Sequence, residues 1–438
     1  MNDPELNKIL LTPADCFMLA LEKQHIRRVD ASNNTCRYLL ELEGQLDVEQ
    51  FRKNISANHN LLRLAHLTAQ KKYPLSIPTW KENETGSEIP ITVTNTDSLI
   101  TEEIVNRKIS GDKPPLFSFD ILIRSSGDST LIFSWHHLLM DGYGAILLMK
   151  QLANGTPENQ LQLHDNTKGE KLKWSDLVNA TRAKFFIDRI SRKPLSGIYL
   201  SKKKNINTNQ KVRIIRFTQE ETNQLDKVGP LLGAQFGRSA LYLACAARSV
   251  RTLLMEKKIP IHDFWIPVPR DQRKKGALGP LLGNHLSFIF YRIKEKLLAS
   301  LKETVSSINQ QMVDQIKTNM SRDYDILMRF LRRTPSPLYY FWIKGPKGGS
   351  LASFLFTVAA DHPSDFLEFN NHKIKDAWNF PSNIYPPGLT FAFMRFENRL
   401  HLMIMYFEEV LSEEDMNTIE KQIRYELVFG KEFDSIDS

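Results

Sequence analysis

Cysteine is scarce in this chain: Cys16, Cys36 and Cys245 are the three thiols among 438 residues. A small, odd number of widely separated cysteines argues against a disulfide scaffold. Cys16 and Cys245 lie in apolar runs and read as small core residues, which fits a reducing, cytoplasmic setting. No apolar run approaches the ~18 residues that a membrane-spanning helix requires. The opening MNDPELNKILLTPADC has no basic start followed by an apolar stretch, so no secretory signal is expected. Low-complexity segments and internal repeats are also missing. Charge is only mildly one-sided: 58 Lys and Arg against 50 Asp and Glu leave a formal net charge of +8. Such a balance suits anionic ligands, namely phosphates, nucleotides or an acidic lipid surface, so peripheral membrane contact is a candidate alongside a merely solvated basic surface. Nucleic acid is not expected as a partner. The basic residues are spread along the chain, without zinc-ligand spacing, an RNA-binding signature or a basic helix followed by heptads.

What is present is ordinary globular material, 42% hydrophobic and 25% charged. A chain of this length is expected to form two domains of roughly 200 residues, each with its own core. Thr12, Pro13 and Asp15 form a helix start close to a capping box, ahead of FMLALEK. A strand is predicted at Thr35–Leu42, and Val48, Phe51 and Ile55 recur at helical spacing. Phe117, Phe119, Ile121 and Ile123 alternate with a period of two, and a turn at Ser125-Ser126-Gly127-Asp128 leads into a returning strand, Thr130–Trp135. The polar, basic stretch 196–210 reads as a linker, dividing the chain into 1–195 and 211–438. Beyond it the sequence predicts a buried Ala-rich helix at Ser239–Leu254 and strands at Asp263–Val268, Leu286–Ile293 and Ser353–Ala359. A strand pair, Leu389–Phe396 with Leu400–Phe407, follows. A last helix opens at Ser412 with Asp415 three residues on. Alternating strands and helices in both halves predict an α/β protein with two layers, each a mixed sheet covered by helices.

One segment carries chemistry. Histidine is rare, 11 of 438 residues, yet His136 and His137 are adjacent, with Asp141 four residues after His137 and Gly142 and Gly144 beyond. A loop between a buried strand and a helix can hold an imidazole at the end of a sheet. An imidazole of near-neutral pKa can take the proton from an attacking alcohol or amine, an effect typically worth about 10²- to 10⁴-fold. Asp141 can orient the ring or lock the loop, and donors must also meet the oxyanion of the tetrahedral intermediate. A metal site would need further ligands at spacings such as His-Glu-x-x-His, and none is present. A bland polar loop is the other alternative.

HHLLMDG resembles the His-His-x-x-x-Asp-Gly motif of the acyltransferase superfamily that includes chloramphenicol acetyltransferase, nonribosomal peptide synthetase condensation domains, polyketide-associated acyltransferases and wax ester synthase/diacylglycerol acyltransferases. The segments LTPADCFMLALEK, LEGQLDVEQFRKNISANHNLLR, KPPLFSFDILI and FWIPVPRDQRKKGALGPLLGNHLSFIFYRI extend the resemblance over most of the chain, nearest to the wax ester synthase-like and polyketide-associated branch. The chain departs from wax ester synthases in having Arg238-Ser239 where Asn-Asp is frequent. It also lacks an Asn-Val-Pro-Gly-Pro-like segment and the plant-type Asp-Phe-Gly-Trp-Gly motif.

The resemblance implies two chloramphenicol acetyltransferase-like domains set in a V, with the active site in a tunnel between them. It implies His137 as general base, His136 and Gly142 as parts of the motif, and a mainly structural Asp141 paired with an arginine, for which Arg270 and Arg273 are the candidates. Asn284 is expected to shape the tunnel or a turn. Ser353 and Thr357 are candidate oxyanion donors, or hydroxyls that simply pack. No permanently bound cofactor or metal is implied. The co-substrate is expected to be acyl-CoA or the acyl phosphopantetheine of an acyl carrier protein, acting on a monomer, and Arg270–Lys275 and Lys202–Lys204 are basic runs that could meet CoA phosphates. Two other readings stand beside acyl-CoA-dependent O-acylation. One is a condensation-type enzyme fed by carriers in trans. The other is an inactive docking module of the same fold.

Overall fold

A computed structural model describes residues 9–433, apart from 29, 31, 84–87, 155–162, 164–172, 199–207, 275 and 345–349. The main sheet of the first half has six strands in the order Glu368–Phe369, His372–Phe380, Thr35–Leu42, Ser129–His136, Phe117–Ile123 and Ile91–Asn95. It is mixed: the last two strands run parallel and the other pairs antiparallel. The period-two pattern sorts the strand faces. Leu131, Phe133 and Trp135 enter a core with Phe117, Phe119 and Ile121. Ile132 and Leu122 point the other way, into a layer shared with Ala392, Met394, Met403 and Met405. Both faces are therefore covered, and all eight residues of Ser129–His136 are buried.

Those partner residues belong to a second mixed sheet, ordered Leu355–Val358, Leu389–Phe396, Arg399–Phe407 and Gln210–Arg216, in which only the first pair is parallel. Its hairpin turn places Glu397 and Asn398 at φ 44° and 64°, the left-handed pair that matches the twist of a two-residue hairpin. On its outer face lies the Ala-rich helix Ser239–Glu256, which packs against the final helix Glu413–Phe429. Arg248 and Glu426 meet within that contact, with Nε 3.0 Å from Oε1. A separate ladder pairs Phe264–Asp271 with Leu286–Ile293. The mixed α/β architecture follows the expectation from sequence.

The chain path is less simple than a division at 196–210. Residues 199–207 lie outside the description. At its ends the segment is tied down: the Ser196 amide donates to Asp263, and Gln210 already belongs to a strand. Residues 368–380, numerically in the second half, pair into the first sheet beside Thr35–Leu42. An interior strand needs hydrogen-bond partners on both edges, and for Thr35–Leu42 the second partner comes from the far end of the chain. No described helix is long and apolar enough to cross a membrane.

Candidate active site

The strand Ser129–His136 ends in a tight loop. The Trp135 indole donates to the Met140 carbonyl at 2.9 Å, and the Leu139 amide donates to the His136 carbonyl at 2.9 Å. The helix Gly142–Asn154 starts at once. Asp141 caps it, with Oδ1 accepting the Gly144 amide at 3.0 Å, as a carboxylate at a helix N-terminus does. Gly144 is required by space: a Cβ there would stand 2.6 Å from the Leu281 carbonyl, and one on Gly142 would stand 2.7 Å from the Asn379 amide nitrogen. Gly144 lets 281–285 lie against the loop, where the Gly283 amide donates to Leu139 at 2.7 Å, and Gly142 leaves room for Asn379.

Asp141 is engaged by Arg273, not Arg270. Nη1 of Arg273 lies 2.8 Å from Asp141 Oδ2, and Nη2 donates to the Pro280 carbonyl at 2.9 Å. The His285 amide donates to the same Oδ2 at 2.9 Å. Both side chains of the ion pair are 4% exposed. Arg270 sits exposed on its strand opposite Ser287, whereas the chain turns after Asp271, whose Oδ1 accepts the Arg273 amide at 2.9 Å. The turn aims Arg273 inward. Arg273 is therefore not free to meet CoA phosphates, and Lys275 and Lys202–Lys204 fall outside the described residues.

His136 is fully buried. Its Nδ1 accepts the Leu138 amide at 3.1 Å, so the proton resides on Nε2, which faces Glu22 Oε2 at 3.4 Å. His137 is half-buried and borders a cavity. Its amide donates to Asn34 at 2.8 Å, and its carbonyl accepts from Asn284 Nδ2 at 2.8 Å. Burial pushes the imidazole pKa below its ordinary value; contact with its own main-chain carbonyl, the Asp141 charge and Asn284 oppose that shift. Nδ1 is enclosed with no hydrogen-bond partner among the described residues, and a neutral imidazole keeps one ring nitrogen as an acceptor.

Asn284 is placed as a bridge: its amide and Nδ2 also donate to Asp15 Oδ1, at 2.6 and 2.9 Å. Thr357 borders the cavity. Ser353 does not. Its Oγ accepts the Trp265 amide at 3.0 Å and its own amide donates back to Trp265 at 2.8 Å, so strand pairing consumes it. The reading by residue type missed three contributors: Asp15, which had been assigned only to helix capping, Glu22, and Asn379 beside Gly142. Only Asp15 had a signal in the sequence, its capping position.

The cavity, about 350 Å³, lies between the two sheets. Phe17, Met18 and Leu21 form one wall, Phe288 and Leu355 another, and no lysine or arginine among the described residues lines it. That volume is at the small end of ligand pockets. Among the described residues no group of three or more His, Cys, Asp or Glu is placed to hold a metal ion.

No family profile matches the sequence, and no curated protein matches it. Solved structures do. The first condensation domain of the calcium-dependent antibiotic synthetase, in complex with a substrate analogue, superposes with a TM-score of 0.67 at 13% identity, covering 96% of this chain and 95% of that one. The fold is that of condensation domains and acyltransferases. A trichothecene 15-O-acetyltransferase from Fusarium sporotrichioides matches this condensation-type fold with a TM-score of 0.69 at 12% identity, over 96% of this chain and 94% of the other. The wax ester synthase/diacylglycerol acyltransferase from Marinobacter aquaeolei VT8 gives 0.58 at 14% identity, over 96% and 100%. Within the condensation-type fold, the segment 136–142 supplies a half-buried imidazole at the mouth of an apolar cavity, an arrangement able to accept one proton.

Proposed function

We propose that this chain is an acyltransferase that moves an acyl group from a thioester, acyl-CoA or acyl phosphopantetheine, to a hydroxyl or amine. The observation that carries the reading is the His137 imidazole, which borders the cavity and whose pKa burial lowers, so that the ring is neutral. The unprotonated ring nitrogen takes the acceptor's proton as the acceptor's oxygen or nitrogen adds to the thioester carbonyl. The tetrahedral oxyanion collapses, the C–S bond breaks, and the imidazolium returns the proton to the leaving thiolate. Thr357, which lines the cavity, is the hydroxyl we assign to the oxyanion. Asp141 holds the loop through Arg273 and does not exchange protons. A lining without lysine or arginine favours neutral, apolar groups, hence an O-acylated alcohol over an acceptor bearing a carboxylate. It also leaves the phosphates of CoA outside the cavity.

The test is release of free thiol from a panel of acyl-CoAs with pooled alcohols and amines, with His137→Ala in parallel. Acceptor-dependent release that falls by two or more orders of magnitude in the variant supports the reading. Full release by His137→Ala refutes the base. Release only from acylated carrier proteins selects the condensation-type reading. No release from either donor class leaves the fold as an inactive docking module.

A further inference from the structure

We propose that the first helix, Pro13–Gln24, is a carboxylate clamp that positions both histidines of the catalytic loop. Asp15 holds the main chain of His137 by way of Asn284, and Glu22 faces the ring of His136. The inference rests on His137 being the base.

Asp15 and Glu22 are seven residues apart. At 3.6 residues per turn this is close to two turns, so both project from one face, about 10 Å apart along the axis. Each is buried, Asp15 fully and Glu22 at 8% exposure, where a carboxylate is rarely found without a partner. Capping accounts for part of Asp15: Oδ2 accepts the Thr12 amide at 2.8 Å. Its other oxygen accepts both the amide and Nδ2 of Asn284. Gly283 makes room for this approach, since a Cβ there would stand 2.9 Å from Asp15 Oδ2. Thr12 Oγ1 closes the contact on the Asn284 carbonyl at 2.9 Å.

Asn284 Nδ2 has two hydrogens. One goes to Asp15 and the other to the His137 carbonyl. Fixing that carbonyl fixes the main chain from which the His137 ring borders the cavity. At the other end of the helix, Glu22 Oε2 stands 3.4 Å from Nε2 of His136, with Arg27 3.9 Å from Oε1 on the outer side. The same helix contributes Phe17, Met18 and Leu21 to the cavity wall. Base and substrate wall are thus referenced to one rigid element, and positioning of this kind controls rate, since a 1 Å error can cost about 10²-fold. Burial pushes the Asp15 carboxyl up to about 7, so its charge depends on the donors that surround it.

The test uses full-length Asp15→Asn, Glu22→Gln and the exchange Asp15→Asn/Asn284→Asp, with the acyl-CoA that supports wild-type turnover. The exchange keeps a hydrogen-bonding pair between 15 and 284 but presents a carboxylate to the His137 carbonyl. We expect it to restore melting temperature without restoring kcat, which stays down about 10-fold or more with KM within about 2-fold. Glu22→Gln should lower kcat at near-native stability. A second readout needs no substrate: the His137 ring N–H resonance in protein carrying nitrogen-labelled histidine, expected to be protected in the native chain and lost in Asp15→Asn. Recovery of kcat together with stability in the exchange refutes the clamp. So does an unchanged ring resonance in Asp15→Asn. If His137→Ala is inactive while Asp15→Asn and Glu22→Gln turn over within about 2-fold of native, the clamp fails and the base assignment stands. If His137→Ala is fully active the base assignment fails, and the ring resonance still decides whether the helix holds the loop.

Discussion

The ion pair Asp141–Arg273 joins residues 132 positions apart in the chain, and removing either side chain should cost stability in an order that the contacts set. Taking one partner from a buried pair typically costs about 3–5 kcal/mol, because the other charge is left uncompensated. The two partners are not left equally badly off. In Arg273→Met, the Asp141 carboxylate keeps the amides of Gly144 and His285. In Asp141→Ala, the guanidinium keeps one carbonyl, Pro280, and a 3.3 Å approach to Asp271, and the helix also loses its cap, worth ~1 kcal/mol. We expect about 3 kcal/mol for Arg273→Met and about 5 kcal/mol for Asp141→Ala, both read from urea midpoints at constant slope. The double variant should cost ~2–3 kcal/mol less than the sum of the singles, since it leaves no orphan charge. Additivity to within ~0.5 kcal/mol, or Arg273→Met costing more than Asp141→Ala, would refute this account of the loop. Additivity would mean that Asp141 is held by the backbone amides alone.

Other outcomes are equally specific. Because burial lowers the His137 pKa, its base form persists to more acidic pH than that of an ordinary histidine. The acid limb of kcat/KM should therefore fall with a midpoint below ~6.5, and a midpoint at or above that value contradicts the burial argument. Thr357→Val should reduce kcat by ~10²-fold with little change in KM if the hydroxyl meets the oxyanion. Ser353→Ala should instead cost ~1 kcal/mol of stability by orphaning the Trp265 amide, with kcat near native. Gly144→Ala should lower the melting temperature by an amount equivalent to ~1–3 kcal/mol, because its methyl meets the Leu281 carbonyl; a native-like melt would show that 281–285 can retreat.

Local signals in the sequence translated directly into structure. Thr12 with Asp15 and Ser412 with Asp415 form reciprocal capping boxes, and the alternation around Phe117 did sort two buried faces. The motif at 136–142 lies where a strand becomes a helix, as its residue order suggested. Beyond the arginine partner that the resemblance implied for Asp141, long-range pairing was not legible. Nothing local to Asp15 indicates that its second oxygen is used by Asn284, 269 positions away. Arg270 and Arg273 are equivalent by composition, and only the turn after Asp271 separates an outward side chain from an inward one. Ser353 and Thr357 are both strand-region hydroxyls, and only the fold shows that the Trp265 amide takes Ser353 while Thr357 borders the cavity. The strand His372–Phe380 was missed because HKIKDAWNF alternates weakly and meets a partner from the opposite end of the chain.

That strand has a bearing on how the chain is made. Trp378 donates to Glu41 across 337 positions of sequence. At ~5–20 residues per second, a ribosome delivers the missing edge roughly twenty seconds to a minute after Glu41 has emerged. For that interval Thr35–Leu42 offers a bare apolar edge, the feature most prone to pair with another chain. A fragment ending before residue 368 should therefore collect in inclusion bodies even though it carries the whole histidine motif.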